Sequence, residues 1–395
     1  MLTNITNLFT QCIPRSQNST IARTPRYTSE QGNSDESTVL LSSLSDKKIQ
    51  NSRELNNELY RAIKNNLGIE KITELLKKGA DPNAWIQENY TYPMKCAINC
   101  GNLEVVKLLL KYKANIDGHF KCLESGNPYT NLTLAVMENK YDIVKLLLEQ
   151  GADPNFQVST CFYTALAQAA MEGNKEIAEL LIEYGAKIEG WDGESPLFWS
   201  LMNGNADNSA VRLLLENGAD PTYGDDCSQP CLEAISHDNV EALSLLFSYD
   251  TKDIFKNMID KMMLKAANYN SIKCMQMLLN KGYSINSHYF NNKGIRMTPL
   301  EMAIGNREQC SESEIKFILY LLDNGANIIY RKEQRYQPCF RAIQENNSEI
   351  LLLLLRCSAE DKVKNIIDQM MLLVVKHNSV KCMQVLLDYG CDINE

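Results

Sequence analysis

The chain reads as an all-α solenoid of about ten helix–turn–helix units with β-turn fingers between them. Three observations carry that reading. The phrase Gly-Ala-Asp-Pro-Asn begins at Gly79 and again at Gly151, with variants from Gly185, Gly218, Gly325 and Gly390. Most of these follow an apolar run such as Val144–Leu148 or Val211–Leu215. A small residue recurs upstream at Ala62, Ala97, Ala135, Ala169, Ser200, Ala234, Ala266, Ala303, Ala342 and Val374, at spacings of 31 to 39 residues. A period of that size marks stacked units, none of which can bury its apolar face alone.

Residues 1–50 are rich in Ser, Thr, Asn and Gln and lack periodicity, so a disordered tail is expected there. Each unit then begins with a short helix. In Thr298-Pro-Leu-Glu-Met-Ala303 the threonine can cap the helix, and Pro299 fits a first turn whose N–H would be unpaired anyway. A polar break such as Gly101-Asn102 or Gly173-Asn174 reverses the chain. The second helix places Ile143, Val144, Leu146 and Leu147 at helical spacing and stops at a glycine able to take the left-handed conformation.

These residues resemble the ankyrin repeat. Thr298 to Ala303, Thr164 to Ala169, Ser195 to Ser200 and Tyr92 to Ala97 are similar to its TPLHxA signature, and the Gly-Ala-Asp phrase matches its later block. The resemblance covers roughly Leu55 to Asn394 and implies a projecting finger between units. The histidine of the signature is absent: its slot holds Lys95, Thr133, Ala167, Phe198, Leu232, Glu301 and Phe340. In the family that histidine ties neighbouring loops, so its loss predicts a less stable stack.

Two domains are expected after the tail, 51–228 and 229–395, because the second contains a duplication. Gln229–Asn286 aligns without gaps on Gln337–Asn394 at an offset of 108 residues, with 29 identities in 58 positions. In each copy one unit lacks its finger, at Tyr249–Asp253 and Cys357–Asp361, and irregular stacking is expected at both joints. The chain stops at Glu395 with no polar cap on the stack. That suggests either a fragment of a longer protein or an end buried against something.

A formal charge of −9 and no long Lys/Arg block argue against sequence-independent nucleic-acid binding. Thirteen scattered cysteines, among them Cys96, Cys274, Cys339 and Cys382, read as reduced core thiols of a cytoplasmic protein. Apolar runs such as Ile350–Leu355 are too short to span a bilayer. No phosphate loop, dinucleotide fingerprint or zinc helix appears, so no cofactor, metal, catalytic residue or small-molecule substrate is expected. Cys96/Cys100 and Cys227/Cys231 read as structural thiols rather than metal ligands, and Cys231 with His237 as a core thiol and a loop imidazole.

The fingers carry aromatic and Arg residues where polar ones are usual: Trp85, Tyr90, Tyr92, Phe120, Tyr129, Phe156, Tyr163, Trp191, Tyr223, Tyr289, Phe290, Arg331 and Tyr336. Such residues dominate binding hot spots, although about half are expected to pack finger on finger. Two fingers, Ile116–Tyr129 and Asn286–Met297, are also unusually long. The expected function is binding of a partner protein through a concave, finger-lined face. The resemblance also suits an effector of an intracellular bacterium acting in host cytosol. The alternative is a targeting arm of a longer enzyme whose catalytic domain lies beyond residue 395.

Overall fold

The computed structural model describes residues 36–390 except 88–90, 122–127, 157–163, 191–194, 203, 205–206, 225–227, 251–253, 292, 306–309, 329–336, 358–362 and 364–365. The chain divides into two compact units, Met1–Cys161 and Phe162–Glu395. Each is an all-α stack of helix pairs in two layers. In the first unit the first-helix layer runs Glu36–Lys64, Pro93–Asn99 and Asn131–Met137. The second-helix layer runs Ile69–Lys77, Leu103–Lys111 and Tyr141–Glu149. The other unit repeats this plan from Ala165–Met171 and Lys175–Glu183 to Ile367–His377 and Val380–Asp388. The duplication boundary at 228/229 is not a break in packing, since Pro230–Ser236 lies against Pro196–Trp199.

One expectation changes at the N-terminal end. Residues 36–50, assigned to the tail, form the start of the helix Glu36–Lys64. Residues 1–35, the rest of that tail, lie outside the described residues.

The capping residues behave as their chemistry predicts. The hydroxyls of Thr130, Thr164 and Ser195 accept from the N–H three residues on, at 3.0, 3.0 and 3.1 Å. Thr298 forms a full capping box, its own N–H donating to Glu301 Oε2 at 2.6 Å. Between the helices of a pair, a left-handed residue is followed by a polar cap. Gly101 (φ 65°) precedes Asn102, which accepts from Val105 N–H, and Asp238 (φ 50°) precedes Asn239, which accepts from Ala242 N–H. The small-residue slots face the stack: nine of the ten are buried, and only Ala303 is partly exposed.

The histidine of the signature is replaced in every unit. Its slot has become apolar core in four units, where Ala167, Phe198, Leu232 and Phe340 are all buried, and Phe198 packs with Ala167 and Trp199. The ties between fingers come from the repeated phrase itself. Its third residue makes a local turn, as where Asp81 accepts from Asn83 N–H and Asp153 from Asn155 N–H, at 2.9 and 2.8 Å. Its fifth residue accepts the N–H of the third residue in the next finger. Asn83 takes Asn115 N–H at 2.7 Å, Asp117 takes Asp153 N–H at 3.2 Å, Glu189 takes Asp220 N–H at 2.6 Å, and Asn286 takes Asn327 N–H at 2.7 Å. The phrase is therefore a hydrogen-bond code that satisfies backbone donors between fingers.

The duplication is preserved in three dimensions. Ser271 Oγ donates to Ile235 O at 2.5 Å, and Ser379 Oγ to Ile343 O at 2.6 Å. Cys274 and Cys382 sit against the carbonyls of Ala234 and Ala342, and Asn270 and Asn378 both take the left-handed conformation. At the first fingerless joint Asp250 accepts from the N–H groups of Ile254 and Phe255 at 3.0 and 2.9 Å, capping the 3-10 turn Ile254–Met258. The second joint, 358–361, lies outside the described residues.

Candidate partner-binding surface

The two long fingers fold as hairpins. His119–Lys121 pairs antiparallel with Pro128–Thr130, and Tyr289–Phe290 with Arg296–Met297. Strand alternation then separates two residues that the sequence placed together. Tyr289 is buried, 5% exposed, and donates its hydroxyl to Ser284 O at 2.6 Å, while burial pushes its phenol pKa up. Its ring and hydroxyl are thus committed to its own finger. Its neighbour Phe290 is 50% exposed and lies under Arg296, whose guanidinium carbon is 5.2 Å from the ring centre.

Among the other aromatics, Trp85 is 45% exposed with its ring 4.8 Å from that of Tyr92, which is partly buried. Phe156 is 37% exposed, in the Gly151 finger. Tyr129 is partly buried in its hairpin, opposite Phe120 in register. Tyr223 spends its hydroxyl on Gly190 O at 3.1 Å, a finger-to-finger contact. The Phe120 side chain and residues Tyr90, Tyr163, Trp191, Arg331 and Tyr336 lie outside the described residues. Among the described residues, Trp85, Phe156 and Phe290 are thus the expected aromatics that present large exposed rings on fingers.

A second feature was not anticipated. In the unit Phe162–Glu395 a cavity of about 950 Å³ opens over the first helices Ile259–Tyr269, Pro299–Ile304, Pro338–Gln344 and Ile367–His377, beside the Phe290 hairpin. Leu232, Leu264, Met302 and Phe340 line its floor, and the part-exposed Ala303 faces it. Its cations, Lys261, Lys265, Lys293, Arg341 and Lys376, come from units too far apart in sequence to look like a patch.

Of the residues weighed for chemistry, Cys227 lies outside the described residues. Cys231 and Cys339 are buried, and burial pushes both thiols up to about 12. Cys96 is pushed up to about 12 by burial and by the nearby Cys100. His237 bonds Glu233 at 3.1 Å, one helical turn away, and not Cys231. That bond raises the imidazole pKa against the opposing effect of burial. Among the described residues no three His, Cys, Asp or Glu side chains gather as a metal site, and no helix is long and apolar enough to cross a membrane.

Paired helices, a two-layer stack and hydrogen-bonded fingers define a helical-repeat protein. A family model for ankyrin repeats matches residues 59–158 and 132–225. A protein of fowlpox virus (strain NVSL) described as an ankyrin repeat protein is 34% identical over 98 residues, 25% of this chain and 21% of that relative. The match therefore spans about a fifth of the relative's length. With the motif code and the helix pairs, these findings show that residues 59–225 are similar to ankyrin repeats. Ankyrin repeats generally mediate protein–protein interaction and are not typically enzymes.

Proposed function

We propose that this chain is a protein-interaction module that holds a partner protein on its finger-lined face. One observation carries the reading: Trp85, Phe156 and Phe290 are large exposed rings on fingers whose backbones are held by hydrogen bonds within a finger, to the next finger or, for Phe290, to Asp260 of the helix Ile259–Tyr269. Exposed aromatics on a preorganised frame lose little entropy on binding and make efficient anchors. The role is recognition without chemistry, and the net charge of −9 favours a protein over nucleic acid as the partner. Eight free cysteines among the described residues, five of them buried, support a reducing compartment such as a cytosol. That compartment is the one an effector of an intracellular bacterium would occupy in its host.

The test is affinity capture from a eukaryotic cell lysate with the full chain and with a Trp85→Ala/Phe156→Ala/Phe290→Ala variant. The expected result is a defined set of proteins held by the first and lost by the second, at unchanged circular dichroism. Capture that is unaffected by the triple change would overturn the assignment of the face.

A further inference from the structure

The cavity in the unit Phe162–Glu395 is rimmed by charge of one sign. Lys261 and Lys265 come from one first helix, Lys293 from the hairpin, Arg341 from the next first helix but one, and Lys376 from the last. Two carboxylates also line it, Glu301 and Glu314, but they are 3% and 6% exposed. Each is turned to its own helix start, accepting from the N–H of Thr298 and of Ser311 at 2.6 Å. What the cavity offers to a visitor is therefore an apolar floor within a cationic rim.

The charge distribution along the chain points the same way. Residues 51–228 carry 16 Lys and Arg against 25 Asp and Glu, whereas 229–395 carry 19 against 20. The internal duplication shows where the sign has changed. Glu233 aligns with Arg341 and Asn268 with Lys376, although the surrounding core residues Cys231, Ala234 and Ile235 recur as Cys339, Ala342 and Ile343. The pair Glu233–His237 of one copy becomes Arg341–Glu345 in the other, which exchanges acid for base at the first position. Core positions of the unit recur in both copies, while Arg341 and Lys376 of the lining are cationic in the second copy only and Lys261 and Lys265 in the first copy only, where Gln369 and Leu373 are their counterparts.

From this geometry we infer that the cavity docks an extended, acidic segment of a partner protein, its apolar side chains on the Leu264–Phe340 floor and its carboxylates on the lysine and arginine rim. The inference rests on the protein-interaction reading above and names the chemistry of one contact. Four neighbouring first helices at about 8–10 Å between axes span roughly 25–30 Å, which an extended chain covers in about eight or nine residues at ~3.3 Å each. Alternation along such a segment sends apolar and acidic side chains to opposite faces, matching a floor and a rim.

The experiment is selection of a random nonapeptide library displayed on phage against the full chain. Anisotropy titration of the most enriched peptide, synthesised with a fluorophore, then measures affinity. Enriched peptides should alternate acidic and apolar residues. Lys293→Glu with Lys376→Glu should weaken binding by about tenfold or more, since like charge at a rim both repels and slows encounter. The milder Lys293→Gln with Lys376→Gln should weaken it less and guards against misfolding. Lys145→Glu with Lys316→Glu, on exposed second-helix positions, should change nothing. Enrichment of neutral or basic peptides, no enrichment at all, or equal affinity in the reversal variant would overturn the inference. So would binding of single-stranded DNA or phosphatidylserine vesicles in place of the acidic peptide. If selection fails while lysate capture still depends on the finger aromatics, only the cavity assignment falls; if capture fails as well, the module reading falls with it.

Discussion

Replacing Ser271 by Ala should cost about 1 kcal/mol, and replacing Ser379 should cost the same. Both hydroxyls are buried, 1% exposed, and each ties a fingerless unit to the one before it through a carbonyl at 2.5 and 2.6 Å. The magnitude follows from what the carbonyl keeps. Ile235 O still accepts from Asp238 N–H at 3.0 Å, and Ile343 O from Asn346 N–H at 3.0 Å, so neither is orphaned. The loss is one net hydrogen bond, about 0.5–1.5 kcal/mol, rather than the roughly 1–3 kcal/mol of a stranded buried polar group. Alanine keeps the Cβ, so the cavity term is small. Repeat arrays do not always unfold in one step, so native-state hydrogen exchange is the suitable assay. Amides of Ile272–Asn280 should exchange about fivefold faster in Ser271→Ala, and those of Val380–Asp388 by a similar factor in Ser379→Ala. No change, or a loss above about 3 kcal/mol, would refute the reasoning about the retained carbonyl bond.

Other outcomes follow from the same geometry. Lys113 sits in the finger-glycine slot with φ 68°, where Gly151 has 90°, so Lys113→Gly should raise the melting temperature of the full chain by relieving a left-handed non-glycine residue, about 1 kcal/mol. The His237–Glu233 pair raises the folded pKa of the imidazole, so its stabilisation is complete below the unfolded value and is lost as pH rises through the folded one. For a partly exposed i,i+4 pair the effect is a few tenths of a kcal/mol, and His237→Gln should abolish that slope in denaturant titrations between pH 5 and 8. Native thiol titration should modify Cys100 and Cys357, which are exposed, well before the buried Cys231 and Cys339. Amides in the Ile254–Met258 turn, at the fingerless joint, should exchange faster than those flanking Gly151 or Gly218.

Much of this architecture could be read from spacing alone. Ile143, Val144 and Leu147 on one helical face, then Gly151, specify a helix and its stop without reference to anything distant. The start at Glu36 was hidden by a Ser-rich composition, although Val39, Leu40 and Leu44 stand at helical spacing. The finger ladder was visible as a phrase but not as bonds, because Asn83 meets Asn115 only once two units are stacked. Tyr289 and Phe290 are adjacent and chemically alike, and only the hairpin register sends one inward and the other outward. The cationic cavity was the least legible feature, since Lys265, Arg341 and Lys376 belong to three different units.

The most direct measurement on the central claim places a photo-crosslinking phenylalanine analogue at one position at a time in the full chain, in the presence of captured partner. Positions Trp85, Phe156 and Phe290 sample exposed fingers, and Tyr141 and Leu319, 42% and 39% exposed, sample the second helices. The account predicts partner adducts from finger positions and none from Tyr141 or Leu319. Adducts confined to the second-helix positions would contradict it.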